Sequence, residues 1–217
     1  MTRRKVGVLI SGRGSNLQAL LDASADPAYP AQIVLVISNE AGAFGLIRAK
    51  QAGVPAEVIS HRDFAGREAF DAAMTAALER AGVELVCMAG FMRIVTDGFI
   101  ARWADRLINI HPALLPAFRG LNTHARALAA GVKLHGCTVH FVRRDVDAGP
   151  IIGQAAVPVL RGDTPESLAA RVLEAEHKLY PHCLRLLAEG RVKAAGAVAE
   201  VDQGGPGPTP RLFNPVP

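Results

Sequence analysis

Short apolar segments rich in β-branched residues alternate with helical segments through the first half of the chain, and this alternation restricts the fold most strongly. The strand-like segments span 6–10, 33–37, 55–59 and 85–89, and helical spacing of apolar residues follows the first of them at Leu17, Leu20 and Leu21. Strands that alternate with helices favour parallel pairing and right-handed crossovers. The sequence therefore predicts the α/β class, with a doubly wound, mostly parallel sheet flanked by helices.

The chain length indicates one domain. A chain of 217 residues of which 50% are apolar can bury a full core. Beyond Gly190 the residues become small and irregular, with a Gly/Pro-rich run at 204–210. We therefore expect a catalytic domain at 1–193 and a flexible C-terminal tail at 194–217. Helices are predicted at 43–52, 63–81, 96–102 and 164–189, the last broken or kinked near Pro181.

Composition and cysteine use indicate a cytoplasmic protein that binds small molecules. The balance of 24 basic and 20 acidic residues is weak evidence for nucleic-acid binding, and it fits an anionic small molecule or a solvated basic N-terminus. Cys87, Cys137 and Cys183 are widely spaced in apolar contexts, as in a reduced protein. No signal peptide is apparent, and no apolar run reaches the roughly 18 residues of a membrane helix.

The segment 107–116 carries the strongest catalytic signal. An apolar strand-like run presents Asn109 and His111 two residues apart, and Pro112 then ends the strand. Residues two apart on a strand face the same side, and ligand crevices of open α/β sheets lie at such strand ends. An amide donor beside an imidazole suits acyl transfer, because the amide can donate to an oxyanion and the imidazole can move protons. Alternatively, the two side chains only cap the turn.

The glycine-containing segment 11–16 indicates an anion site. It lies between a strand and a helix, where backbone N–H groups and the helix dipole favour a phosphate. A dinucleotide fingerprint would place its third glycine at Leu17, and Ser15 and Asn16 suit a terminal monophosphate better. A plain turn with Ser15 or Asn16 as the N-cap is the alternative.

Two histidines, His135 and His140, are five apart in a strand-like segment, which does not favour a shared metal, and no zinc motif is present.

Several further residues permit both a structural and a functional interpretation. Asp147 precedes Gly149-Pro150, which is typical of a turn, but its carboxylate could also orient His111 and favour the protonated ring. The loop 90–95 combines apolar groups with Arg93, which suits a flat ring or a filled core. Arg67 and Glu176 lie in predicted helices, where they would ordinarily be solvated charges.

The chain strongly resembles the phosphoribosylglycinamide formyltransferases of purine biosynthesis, the single-domain type that uses 10-formyltetrahydrofolate. The resemblance extends from about residue 6 to residue 192. It depends on motifs in the correct order, namely 10–18 (ISGRGSNLQ), 89–94 (AGFMRI), 109–116 (NIHPALLP), 140–142 (HFV) and 147–150 (DAGP). Each motif alone is weak, and the set is specific. The resemblance implies a Rossmann-like formyltransferase fold.

The resemblance also implies roles for individual residues. Asn109, His111 and Asp147 match the catalytic trio of the family. The positions that match substrate contacts are Gly14, Ser15 and Asn16 for the ribonucleotide phosphate, Glu176 for the glycinamide substrate, and Arg67, Met92, Arg93, Ile94, Val95, Asn109, Arg143 and Asp147 for the folate. The expected reaction is direct formyl transfer from 10-formyltetrahydrofolate, as co-substrate, to glycinamide ribonucleotide through a tetrahedral intermediate, without a metal.

Other functions fit parts of the same pattern. A formyltetrahydrofolate hydrolase or another formyltransferase shares the strand end, but a hydrolase would carry a regulatory N-terminal domain and a methionyl-tRNA formyltransferase a C-terminal nucleic-acid-binding domain. The chain length argues against both. A nicotinamide-dependent oxidoreductase would require an acidic residue after the second strand, where Ser38-Asn39 stands. A non-catalytic nucleotide-binding module is the remaining alternative. We expect no nucleic-acid or membrane partner, and a monomer or homodimer.

Overall fold

The structure is a computed structural model, and it describes residues 2–202, 204 and 214. Seven strands form the main sheet and two form a separate hairpin. The strands are β1 (Arg4–Ile10), β2 (Ala31–Ser38), β3 (Ala56–Val58), β4 (Leu85–Met88), β5 (Leu107–His111), β6 (Leu134–Phe141), β7 (Ile151–Pro158), β8 (Val192–Ala195) and β9 (Val198–Val201). The α-helices are α1 (Ser15–Ala25), α2 (Phe44–Gln51), α3 (Arg67–Arg80), α4 (Asp97–Arg102), α5 (Thr123–Ala129) and α6 (Pro165–Ala188), with a 3₁₀ helix at His61–Asp63.

The main sheet has the order β3-β2-β1-β4-β5-β6-β7. The pairs from β3 to β5 are parallel, and β6 and β7 are antiparallel. The predicted doubly wound, mostly parallel sheet is therefore confirmed. The order reverses between β1 and β4, which places the ligand crevice of such a sheet at their carboxyl ends.

Both faces of the strands β1, β2, β4 and β5 are largely buried, which explains why these strands read as continuous apolar runs. Alternate residues of β1 enter different clusters: Val8 packs with residues of α1 and α6, whereas Leu9 packs with residues of α3 and α4. A third cluster joins α5 and α6 to β6 and β7. Cys87, Cys137 and Cys183 are buried free thiols, as the sequence predicts.

Helix α6 is continuous through Pro181, so the predicted break near this residue is wrong. It begins at Pro165, and the Thr164 and Ser167 side chains form a reciprocal capping box. Although Pro181 lacks an N–H for the helix, Tyr180 and Cys183 on either side of it are fully buried in the core. This packing stabilises the helix against the missing hydrogen bond.

Two further element boundaries differ from the prediction. The helix predicted at 63–81 begins only at Arg67, because 61–63 forms a 3₁₀ turn and Gly66 is the extended N-cap. The segment after Gly190 is also not irregular: β8 and β9 form a hairpin, with Val192 and Val201 packed on the core and Lys193 opposite Glu200. Gly196, with a φ of 63°, lies in the turn between these two strands, a conformation that glycine adopts readily. The remaining tail residues, 203, 205–213 and 215–217, lie outside the described residues, so the predicted flexible tail stays a prediction.

No helix in the described part of the chain combines the length and the apolar character that spanning a membrane requires.

Substitution of Gly136 by alanine should destabilise the protein by about 3 kcal/mol, because overpacking in a well-packed site costs roughly this amount. A Cβ atom at Gly136 in β6 would lie 1.9 Å from the Ala155 carbonyl oxygen of β7, so the two strands would have to separate. Urea unfolding measures the change. The matched control is Gly42→Ala, since a Cβ atom at Gly42 would meet no atom within 4 Å. Equal stabilities of the two variants would contradict the close approach of β6 and β7.

Candidate active site

Asn109 and His111 lie at the carboxyl end of β5, on the same side of the strand. β5 is an interior strand of the sheet, with parallel β4 on one side and antiparallel β6 on the other. His111 is 5% exposed and Asn109 is partly buried. The strand thus presents an amide and an imidazole together at the carboxyl ends of the strands, where the crevice is expected.

Asp147 lies directly against His111. Its Oδ2 is 3.3 Å from Nδ1 of His111, and the Gly120 N–H donates to the same Oδ2 at 2.9 Å. On the other side of the ring, Nε2 of His111 is 3.0 Å from the Phe118 carbonyl oxygen. Both ring nitrogens therefore face oxygen acceptors, an arrangement that fits an imidazole carrying a hydrogen on each nitrogen.

His140 holds the amide of Asn109, a role that the sequence analysis missed. Its Nδ1 lies 2.9 Å from the Phe141 carbonyl oxygen, so Nδ1 carries the hydrogen and Nε2 accepts from Nδ2 of Asn109 at 3.3 Å. Burial lowers the pKa of His140, while the Phe141 carbonyl and Asp147 act in the opposite direction. The neutral ring leaves one N–H of the Asn109 amide unused by His140.

The four polar side chains form one connected group. His140 Nε2 lies 3.8 Å from Asp147 Oδ1, so the carboxylate stands between the two histidines. Asp147 has a φ of 52°, in the left-handed region that aspartate tolerates better than most residues. The structure thus brings together all three members of the predicted catalytic trio, Asn109, His111 and Asp147.

The loop between β1 and α1 is built for a close approach of the backbone. Gly14 is the N-cap of α1 with a φ of 68°, and a Cβ atom there would lie 2.6 Å from the Gly45 Cα of α2. Neither Ser15 nor Asn16 caps the helix, so that alternative is wrong: both lie within the first turn. The N-terminus of an 11-residue helix thus faces the same sheet edge as the trio.

Asn16 and Glu176 form a buried pair. The Asn16 Nδ2 donates to Oε2 of Glu176 at 2.7 Å, and Glu176 is 6% exposed. Burial raises the pKa of Glu176, and the hydrogen bond from Asn16 partly offsets this rise. The Asn16 side chain thus contacts Glu176 on α6, while the phosphate contact predicted for it stays a prediction.

Helix α6 connects residues 11–16, the glycine loop between β1 and α1, to the end of β5. Tyr180 lies one turn after Glu176, on the same face of the helix. Its buried hydroxyl lies 2.9 Å from the Met88 carbonyl oxygen and 3.2 Å from the Ile108 carbonyl oxygen, the residue before Asn109. One helical face therefore contacts both the glycine loop and the strand that presents the trio.

The folate positions implied by the resemblance divide into exposed and buried residues. Met92 and Ile94 are 63% and 61% exposed, which is unusual for large apolar side chains, and Arg93 beside them is also exposed. Val95 is buried among core residues under α3 and α4, so its side chain fills the core. The 92–94 segment thus presents two apolar groups and one cation to solvent.

The two remaining folate positions, Arg67 and Arg143, lie in different parts of the structure. Arg67 is the exposed first residue of α3. The Arg143 guanidinium instead bonds Asp105 at 2.6 Å and lies over the Phe141 ring at 5.6 Å. Asp105 precedes β5, at the end of the strand opposite to His111. This ion pair directs Arg143 away from the trio, and the roles assigned to both arginines stay predictions.

Across residues 2–202, 204 and 214, no three or more His, Cys, Asp or Glu side chains are grouped so as to hold a metal ion. The site itself presents an amide, two imidazoles and carboxylates. An amide and an imidazole at a strand end of a doubly wound sheet, beside a helix N-terminus of the kind that favours anions, suit an α/β enzyme that transfers acyl groups.

Comparison with known proteins identifies the family. The family model for formyl transferases matches residues 4–184. A phosphoribosylglycinamide formyltransferase of Haemophilus influenzae is 44% identical over 92% of this chain and 94% of its own length. The crystal structure of a glycinamide ribonucleotide transformylase of Symbiobacterium toebii has a TM-score of 0.90 and 50% identity, covering 92% of this chain and 94% of that one. The chain therefore belongs to the formyl transferase family, among the phosphoribosylglycinamide formyltransferases.

A longer relative is also similar. The trifunctional purine biosynthetic protein adenosine-3 of Bos taurus is 53% identical over 88% of this chain, which corresponds to 19% of the longer protein. The chain thus spans about a fifth of this relative.

A second pair of histidines lies beside the trio. The rings of His124 and His135 are 5.2 Å apart, and His135 is 1% exposed. Burial, and to a smaller extent the neighbouring His124, lower the pKa of His135 from 6.5 to about 4, while the Pro112 carbonyl opposes the shift. The folded protein therefore favours the neutral ring.

This depressed pKa predicts a loss of stability in acid. In the unfolded chain His135 takes up a proton near pH 6.5, whereas in the folded chain it takes up the proton only near pH 4. Between these values the unfolded state binds more protons, so the free energy of unfolding falls as the pH falls. His135→Gln should flatten this part of the pH dependence, as measured by urea unfolding. The control is His182→Gln at an exposed histidine. An unchanged slope in His135→Gln would contradict the assignment.

Proposed function

We propose that this chain transfers the formyl group of 10-formyltetrahydrofolate to the amine of glycinamide ribonucleotide. The products are formylglycinamide ribonucleotide and tetrahydrofolate. The observation that carries the proposal is the connected group of Asn109, His111, His140 and Asp147 at the end of β5. Membership of the phosphoribosylglycinamide formyltransferases supports the choice of substrates.

The glycine loop and Glu176 suit the ribonucleotide. The backbone N–H groups of Gly14 and Ser15 lie at the N-terminus of α1, where a phosphate is stabilised by the helix dipole. The Glu176 carboxyl group, oriented by Asn16, can accept from the donors of the glycinamide part of the substrate. The exposed 92–94 segment and Arg67 suit the flat ring and the carboxylates of the folate.

The reaction proceeds by direct attack. The amine nitrogen forms a bond to the formyl carbon, and the formyl oxygen takes up the negative charge of the tetrahedral intermediate. The free N–H of Asn109 and the Nε2–H of His111 donate to this oxyanion. In the structure, His111 Nε2 faces the Phe118 carbonyl oxygen, and the oxyanion would take that place. The intermediate then breaks the bond between the formyl carbon and the folate nitrogen.

One proton must move from the attacking amine to the departing folate nitrogen. The Asp147 carboxylate lies between His111 and His140, so it can stabilise the charged imidazole and support the shuttle, directly or through water. Catalysis needs no covalent enzyme intermediate.

The proposed co-substrate is the formyl folate, without a metal, and both partners are small molecules. We further propose a cytoplasmic monomer or homodimer without nucleic-acid or membrane partners, in keeping with the buried free thiols.

Incubation of the purified protein with both substrates tests the proposal. We expect formylglycinamide ribonucleotide and tetrahydrofolate to form in equal amounts, as measured by mass spectrometry. The main alternative is a formyltetrahydrofolate hydrolase or another formyltransferase of the same fold. Release of formate at the same rate without glycinamide ribonucleotide, and no formylated ribonucleotide with it, would support the hydrolase and exclude the transferase.

Removal of the amide donor of Asn109 should slow the transfer. We expect Asn109→Ala to lower kcat by roughly 10²–10³, the usual loss when one oxyanion donor is removed. Asn109→Asp keeps the shape of the side chain but replaces the donor by an acceptor, so it should lose at least as much. Steady-state kinetics of both variants provide the measurement. Near-normal turnover of Asn109→Asp would remove the oxyanion role.

His140 should act only through Asn109. Without the ring, the Asn109 amide loses its partner and can rotate, so we expect His140→Ala to lower kcat by up to about 10²-fold. The double variant Asn109→Ala/His140→Ala should be no slower than Asn109→Ala alone, because both changes remove the same interaction. His182→Ala is the exposed control. Multiplying losses in the double variant would show that His140 acts independently of Asn109.

A further inference from the structure

The hydroxyl of Ser11 connects two loops that carry different substrate positions. Ser11 follows β1 at the start of the glycine loop. Its hydroxyl accepts from the Met92 N–H at 2.8 Å, and its own backbone N–H donates to the Gly90 carbonyl at 3.1 Å. The glycine loop and the 90–94 segment are therefore held together by a side-chain bond and a backbone bond, both made by one residue.

Asn39 fixes the direction of that hydroxyl. It follows β2, is 2% exposed, and its Oδ1 accepts from the Ser11 hydroxyl at 2.5 Å. The other end of its amide, Nδ2, lies 3.2 Å from Nδ1 of His61. Because the Ser11 hydrogen is bound by Asn39, the Ser11 oxygen presents its lone pairs to Met92. A buried asparagine with partners at both ends is thus well suited to orient one hydroxyl.

The rest of the glycine loop is attached to α2. The Gly12 carbonyl accepts from the Gly45 N–H at 3.0 Å, and the Arg13 carbonyl accepts from Nε of Arg48 at 3.0 Å. The glycine loop is therefore held by α2 on one side and by the 90–94 segment at Ser11 on the other. Ligands on the two loops would therefore affect each other through this contact.

We propose that Ser11 and Asn39 are positioning residues that couple the binding of the two substrates, so that the ribonucleotide on the glycine loop tightens the binding of the folate at the 92–94 segment. The inference rests on the proposed function of these two loops. Coupling between binding sites is reciprocal, so the folate must tighten the ribonucleotide by the same factor. Neither residue needs to contact a reacting atom.

Binding of tetrahydrofolate to the full chain, with and without glycinamide ribonucleotide, tests the coupling. This pair forms an unreactive complex, because tetrahydrofolate has no formyl group to transfer. By calorimetry, we expect the ribonucleotide to lower the Kd of tetrahydrofolate by about fivefold or more. In Ser11→Ala and Asn39→Ala the ratio of the two Kd values should fall close to one.

Two further variants separate coupling from general damage. Ser24→Ala also removes a serine hydroxyl, but this hydroxyl bonds the Leu21 carbonyl within α1, so the ratio should stay as in the unaltered protein. Asn39→Asp keeps the acceptor for Ser11, so it should restore most of the coupling that Asn39→Ala loses. Thermal unfolding without ligands shows whether each variant is folded. If Ser11→Ala does not fold, the result for Asn39→Ala decides the test.

The outcomes distinguish failure of this inference from failure of the proposed function. If the unaltered protein binds neither ligand, the proposed function fails and the coupling fails with it. If both ligands bind but neither affects the other, or if the coupling persists in both folded alanine variants, only the inference is overturned. Loss of coupling in the alanine variants, with Ser24→Ala unaffected, supports it.

Discussion

The carboxylate of Asp147 holds together three segments that lie far apart in the chain. It contacts His111 at the end of β5, accepts from the Gly120 N–H in the following loop, and stands 3.8 Å from His140 of β6. The return of the chain toward the sheet depends on Gly149, because a Cβ atom there would lie 1.7 Å from the Phe141 carbonyl oxygen. A turn that brings its backbone this close to β6 is what places a carboxylate between two buried imidazoles.

Much of the fold and part of the site were predictable from local sequence patterns. The parallel sheet followed from the alternation of strands and helices, and the common side of Asn109 and His111 followed from their spacing of two on a strand. The local sequence at Asp147 was typical of a turn, with a carboxylate that orients His111 as the alternative, and the family resemblance favoured the alternative. Its contact with His111 depends on the path of the chain after β6, which no local pattern specifies.

The role of His140 was not predictable, because it depends on register. Asn109 lies opposite His140 only once β5 and β6 are paired, and no local pattern specifies the antiparallel register of these two strands. Tertiary packing likewise overrode the local signal at Pro181, where α6 continues. The ion pair of Arg143 with Asp105 joins residues 38 apart in sequence, and no periodicity indicates it.

One helix organises the site as a whole. On a single face, α6 carries Glu176 against Asn16 of the glycine loop and Tyr180 against the strand that presents the trio. Both contacts are buried, where a hydrogen bond is costly to lose. The positions proposed for the ribonucleotide and the groups proposed for catalysis are thus held by the same helix, which suits a reaction that depends on placing an amine next to a formyl carbon.

A crystal structure of the protein with glycinamide ribonucleotide and tetrahydrofolate tests this account most directly. The account predicts the phosphate at the N-terminus of α1, and the substrate amine and the folate nitrogen both close to the free N–H of Asn109 and to Nε2 of His111, with the Phe118 carbonyl displaced. It would be contradicted by a folate bound away from β5, with Nε2 of His111 still facing Phe118 and no ligand between the trio and Gly14.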